Sequence, residues 1–188
     1  MEPLPNEREW ILRFKNGDPA AFERIMVHYE VYVLALMLRM TGGKRDLAED
    51  LCQETFLKVL KGLSRFRHKS SLKTWIFRVA HNTAADHLRA RREEPAVEED
   101  AAAEIQDTSV SLEEALDQKR LREWILLALD QLHPSQGEVL NLYYWAGFSV
   151  EEIAHVTGAP VGTVKTHLHR GRSALRQRIA NLVEERSS

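Results

Sequence analysis

Two runs of cationic and hydroxyl residues carry most of the chemistry this chain can offer, and both suit contact with nucleic acid. Between Pro160 and Val183 the sequence places Lys165, Thr166, His169, Arg170, Arg172 and Arg176 and contains no acidic residue. Helical periodicity sets Val164, Leu168, Gly171, Leu175, Ile179 and Leu182 on one inward stripe. The cationic set is thereby forced to the opposite face. Such a face fits a DNA major groove, where side chains on the first turns reach base edges and later Arg and Lys neutralise phosphates. The plainer alternative is a solvated helix of an all-α domain. The second run, from Lys58 to Arg92, holds ten Lys and Arg against one acid, Asp86. Its loop, SRFRHKSS, surrounds Phe66 with Arg65, Arg67, His68, Lys69, Ser70 and Ser71. Cations beside an aromatic ring suit single strands, in which bases stack on rings while cations follow the backbone. Phe66 and Trp75 fit a core role as well, since aromatic residues at helical spacing usually pack.

The elements that must position these residues are helical throughout. Ser149 and Glu152 form a capping box that starts a short helix at Val150, with Ile153, Ala154 and Thr157 on one face. Gly158 supplies the positive φ of a sharp turn, and Pro160 opens the basic helix near Val161. Cap, turn, inward stripe and acid-free outer face together define a helix-turn-helix. Upstream, Glu7 to Asn16 makes a short helix stopped by Gly17, and Asp18-Pro19 caps a longer one ended by Gly42-Gly43. Its apolar residues Phe22, Ile25, Met26, Tyr29, Val33, Leu36 and Met40 keep helical spacing. A third helix, from about Arg45 to Lys61, turns Leu47, Leu51, Thr55, Leu57 and Leu60 inward. Asp46, Asp50, Gln53 and Glu54 then face outward, and spacing alone reads them as solvated. Ser71 caps a fourth helix with Leu72, Trp75, Ile76, Val79 and Thr83 inside and Arg78, Asn82, Ala85, Arg89 and Arg92 outside.

Charge divides the chain more sharply than its formal net value of -2 suggests. Residues 1–92 carry a net +6, residues 93–118 carry ten acids and no Lys or Arg, and residues 119–188 carry a net +2. The acidic stretch has few large apolar residues before Leu112 and cannot bury enough surface to fold alone. The expected organisation is two small helical domains, 1–92 and 112–188, joined by a flexible acidic linker over 93–111. At 188 residues and 44% hydrophobic the chain is long enough for real cores. No apolar run approaches bilayer length and the first ten residues lack an apolar signal segment, so direct membrane insertion is not expected. The lone Cys52 excludes an internal disulfide and a Cys-based zinc cluster, which fits a reducing cytoplasm. His167 and His169 are two apart and leave different faces of a helix, so no metal site and no cofactor are expected. His81, Asp86 and His87 suggest a helical hydrolase, but no further His/Asp set completes an acid-base site, and no enzyme activity is expected.

Three ordered blocks give the sequence a family likeness. AEDLCQETFLKVL resembles region 2.2 of the extracytoplasmic-function (ECF) group of bacterial sigma-70-type sigma factors. SSLKTWIFRVAHNTAADHLR resembles regions 2.3 and 2.4, and LALDQL with FSVEEIAHVTGAPVGTVKTHLHRGRSAL resembles regions 4.1 and 4.2. The resemblance implies a factor that binds core RNA polymerase, through the β′ clamp helices and the β flap, and directs transcription from specific promoters. It overrules the solvated reading of helix 3: Asp46, Asp50, Gln53, Glu54 and Leu57 become the polymerase-binding face. It implies that Phe66, His68, Lys69, Ser70, Ser71, Trp75, Arg78, Asn82 and Arg89 melt and read the -10 element, with Asn82 and the 68–71 loop shaping a pocket for a flipped base. Capture of an extruded base offsets the few kcal/mol that unstacking costs. Thr166, His169 and Arg170 would read -35 bases, with Lys165, Arg172 and Arg176 along the backbone. An anti-sigma factor is the implied regulator, and the acidic linker would thread polymerase channels as a nucleic-acid mimic. Two departures stand out: His167 replaces a usual Arg, and Leu132-His133 with Gly137 replace Leu-Pro and a downstream Arg. The alternative class is a stand-alone helix-turn-helix repressor or activator, which would need a sensor domain that residues 1–92 do not resemble.

Overall fold

The computed structural model describes residues 4–93 and 132–187. The acidic linker beyond Glu93 and the LALDQL block before its last residue, Leu132, are therefore outside the described part. The described residues form seven helices and no strand. They are α1 (Glu7–Lys15), α2 (Pro19–Met40), α3 (Arg45–Leu63), α4 (Leu72–Glu93), α5 (Pro134–Leu140), α6 (Val150–Thr157) and α7 (Val161–Ser187). A single π turn over Asn141–Trp145 continues α5.

The chain breaks where its turn chemistry dictates. Gly17 takes φ +91°, and the Asp18 carboxylate accepts from the Ala20 amide at 3.0 Å while Pro19 fills the first helical position. A hydrogen bond from Arg13 holds the Asp18 carboxyl below its ordinary range. Ser71 Oγ accepts from the Thr74 amide at 3.0 Å and so starts α4. Both halves of the Ser149–Glu152 capping box are present, and Gly158 closes α6 at φ +71°.

α2, α3 and α4 form the first core. Ile25, Tyr29, Val33 and Leu36 meet Leu51, Phe56, Val59 and Leu63, with Leu72 and Ile76 beneath. One expectation fails here: Leu57 and Leu60 are exposed, at 55% and 37%, and the inward positions of α3 are Ala48, Leu51, Cys52, Thr55, Phe56 and Val59. The buried stripe is shifted and widened to take in Cys52, Phe56 and Val59, because α3 packs against both α2 and α4.

The second core lies where α5 crosses α7. Gly171 is buried there, and a Cβ on it would approach Leu140 Cδ1 to 3.0 Å, so the crossing depends on glycine. Val164 and Leu168 meet Leu140, Leu142, Ile153 and Val156 around it. These two cores are joined in one hydrophobic cluster, because α4 packs against α6 and α2 against α5. α4 is thus buried on two sides. Besides the inner stripe expected for it, Lys73, Phe77, Ala80 and Ala84 are covered as well.

Candidate nucleic-acid interface

α7 presents the first candidate surface. Lys165, Thr166, His169, Arg170, Arg172 and Arg176 are all exposed on it, while Val164, Leu168 and Gly171 are buried beneath. The helix is held at its start by α6 through the Gly158 turn, which is the geometry that lays a second helix across a groove. Two side chains have internal engagements. Thr166 Oγ1 donates to the Gly162 carbonyl at 2.9 Å, leaving its methyl and lone pairs outward. The Arg172 guanidinium lies over the Tyr143 and Tyr144 rings at 5.2 and 5.4 Å, so it is a braced cation. His167 is half-buried with Nδ1 turned inward, away from the exposed face.

The second surface joins the 64–71 loop to α4. Arg65, Arg67, His68, Lys69 and Ser71 are exposed, Ser70 is half-buried, and His68 takes φ +54°, a left-handed conformation that turns the loop back on itself. Phe66 is not a free stacking platform: it is 6% exposed, and its ring packs on Trp75 at 5.1 Å and on His68 at 4.8 Å. Trp75 is half-buried against it, and a Cβ on Gly62 would strike the Trp75 ring at 2.9 Å. The core role, not the stacking role, is the one the geometry gives Phe66. Sequence reasoning missed what holds this loop from outside: Lys15 Nζ donates to the Phe66 carbonyl at 2.9 Å, and the Glu7 carboxylate accepts from the Leu72 amide at 3.3 Å. Helix α1 is thereby a clamp on the loop. Arg78, Asn82 and Arg89 are exposed along α4, with Arg89 also 3.3 Å from Asp86.

α3 turns a third surface to solvent. Asp46, Asp50, Gln53, Glu54 and Leu57 are exposed together, with Glu54 paired to Lys58 at 2.8 Å. Lys58 also donates to Thr83 Oγ1 on α4 at 3.1 Å, fixing the angle between the acidic face and the basic helix. An exposed Leu57 amid these polar groups is an apolar contact point in an otherwise acidic face.

The residues that suggested a hydrolase do not converge. His81 Nδ1 lies 2.5 Å from Glu138, whereas Asp86 faces Arg89 at the surface. Among the described residues no three His, Cys, Asp or Glu side chains gather as metal ligands. None of the described helices is long and apolar enough to cross a membrane.

Fold and surfaces together define an all-α protein with a helix-turn-helix module packed on a second, basic helical module. Family models sharpen this: sigma-70 region 2 matches residues 25–94, and sigma-70 region 4 matches residues 122–175. The RNA polymerase sigma-H factor of Pseudomonas aeruginosa is 32% identical over 95% of this chain and 96% of its own. The ECF RNA polymerase sigma factor SigW of Bacillus subtilis is 31% identical over 97% of this chain and all of its own. Among solved structures, the sigma factor RpoE bound to the anti-sigma factor NepR from Bartonella quintana aligns with a TM-score of 0.68 at 27% identity, over 85% of this chain and 96% of that one. CnrH in complex with the cytosolic domain of CnrY shares the fold, with a TM-score of 0.64 over 93% of this chain and 97% of that one. The chain belongs to the ECF group of the sigma-70 family.

Proposed function

We propose that this protein is an alternative sigma factor: it binds core RNA polymerase and directs initiation at promoters chosen by their -35 and -10 elements. The observation that carries the reading is the coincidence of exposed cationic faces with the two family matches, α7 in region 4 and the loop with α4 in region 2. On α7, Thr166, His169 and Arg170 read base edges while Lys165, Arg172 and Arg176 follow phosphates, Arg172 from its tyrosine brace. In region 2, Asn82 and the exposed 68–71 loop receive the extruded -10 base, and Arg78 and Arg89 bind the backbone beside it. Phe66 and Trp75 support that pocket from below.

The polymerase meets the acidic α3 face, where Asp46, Asp50, Gln53 and Glu54 surround the exposed Leu57. Region 4 meets the β flap. The protein works in the cytoplasm without a cofactor, as a specificity subunit and not an enzyme. Since the similar sigma factor from Bartonella quintana is solved with an anti-sigma factor, we assign the same kind of regulator here, one that covers polymerase-binding surfaces.

Transcription with bacterial core polymerase and permanganate footprinting of the same promoter test this reading. The protein should give a defined start and unpaired thymines over the -10 element only when core is present. Footprints by the protein alone on duplex operators, with no start, would favour a stand-alone regulator.

A further inference from the structure

Helix α1 lies before residues 25–94, the stretch that matches sigma-70 region 2, yet it holds the 64–71 loop at both of its ends. At the entry, Lys15 Nζ donates to the Phe66 carbonyl at 2.9 Å. At the exit, a Glu7 carboxylate oxygen accepts from the Leu72 amide at 3.3 Å. That amide is one of the orphan donors in the first turn of α4, where the positive end of the helix favours a carboxylate, and Ser71 Oγ serves the Thr74 amide beside it. Glu7 and Lys15 are the first and last residues of α1, about 12 Å apart along its axis, so one rod sets the spacing of the two ends. α1 is itself fixed without using either side chain: Ile11 is buried, the Phe14 ring lies 5.8 Å from that of Phe22 on α2, and Arg13 pairs with Asp18 at 2.7 Å. Between the tied ends His68 keeps φ +54°, a conformation that a residue with a side chain holds only where its surroundings over-determine it. Phe66 is anchored twice, its carbonyl by α1 and its ring by Trp75 and His68.

We propose that Lys15 and Glu7 are positioning residues for the -10 element: through them α1 holds the loop in the shape that receives an extruded base, and so sets how sharply one base is preferred over the others. This deepens the sigma reading and rests on it. Neither residue needs to touch DNA. A mobile loop must be ordered at each capture, which subtracts from affinity, whereas a loop already held has that entropy removed in advance. The benefit falls on the preferred base. Its hydrogen bonds to the pocket require a fixed geometry, while a base that makes none of them loses little when the pocket loosens. Both links are charge-assisted, an ammonium on a carbonyl and a carboxylate on an amide, and so are stronger than neutral hydrogen bonds of the same length.

Two measurements decide it. The first uses the full chain alone and needs neither DNA nor polymerase: brief trypsin digestion, with the cuts after Arg67 and Lys69 followed by mass spectrometry. Both residues are exposed on the loop, and cutting there requires the loop to open locally. Lys15→Met and Glu7→Ala should each speed these cuts several-fold, with far-UV helicity and the cuts elsewhere unchanged. Lys15→Arg, which can still donate to a carbonyl, should stay near wild type. The second measurement adds bacterial core polymerase and fork-junction promoter probes that differ only in the single-stranded -10 base. Wild type should prefer one base; Lys15→Met and Glu7→Ala should reduce that preference several-fold, with core affinity and discrimination among -35 sequences retained, and Lys15→Arg should restore it. A merely structural role would weaken binding to every probe alike. Loop cutting no faster in the two variants than in wild type, faster cutting with the base preference intact, or an equal loss on -35 sequences would each overturn the proposal alone. Should one variant lose helicity, the other decides. A wild type with no base preference on core would overturn the sigma reading together with the proposal.

Discussion

Arg170 projects from the outer face of α7 beside Thr166 and His169, in the third turn of the helix, where a guanidinium can address two acceptors of one guanine. Arg170→Ala should therefore cost about 1–3 kcal/mol on the preferred -35 sequence and much less on others; competition binding across -35 variants checks this, and equal loss on all of them would remove Arg170 from base reading. Cys52 makes the opposite kind of prediction. It is 5% exposed, and burial, helped by Glu30 and Glu49, pushes its thiol up to about 12. Because the folded value exceeds the unfolded one, the contribution is full below the unfolded pKa of about 8.5 and is lost as pH rises toward 12. About 2 kcal/mol should be lost by pH 10, and Cys52→Ala should remove that alkaline loss in denaturant titrations at pH 7 and pH 10. Thiol reagents should label the native protein slowly and the unfolded one fast.

Helices make the next scale. The Ser149–Glu152 box starts α6, which orients α7, so Ser149→Ala should lower stability by about 1 kcal/mol and weaken -35 binding with it; calorimetry and binding on one duplex measure both. Phe77 is fully buried between modules, and Phe77→Ala should cost about 3–5 kcal/mol in urea unfolding. The caps, turn glycines and the α7 stripe were legible in the sequence because each is a local signal: a hydroxyl three residues before a Glu, a glycine before a proline, a 3.6-residue period. Two features were not. The inward face of α3 was misjudged since Leu57 and Leu60 neighbour Phe56 and Val59, and periodicity cannot separate adjacent stripes when two helices cover one. The second buried side of α4 was also missed, since its partner α6 lies more than fifty residues downstream and Lys73 reads as a solvent cation. Burial in fact pushes the Lys73 pKa down, offset in part by Glu152. The polymerase-facing role proposed for Asp50, Gln53 and Glu54 rests on family likeness, as an exposed acidic face has no period that tells a partner from solvent.

At the scale of the whole molecule, two basic modules flank an acidic segment, with ten acids and no Lys or Arg between residues 93 and 118. Segregated charge of this kind drives the modules toward DNA phosphates and keeps the connecting segment off them. The free chain should bind promoter DNA weakly, with affinity falling steeply as salt rises, and its preference for one sequence should emerge only on core polymerase. That dependence is the centre of the account. It is tested most directly by multi-round transcription on fragmented genomic DNA from the source organism, using bacterial core polymerase with and without the protein. The account predicts discrete new start sites that share elements near -35 and -10, appearing only when both are present. Unchanged start sites, together with sequence-specific duplex binding by the protein alone, would contradict it.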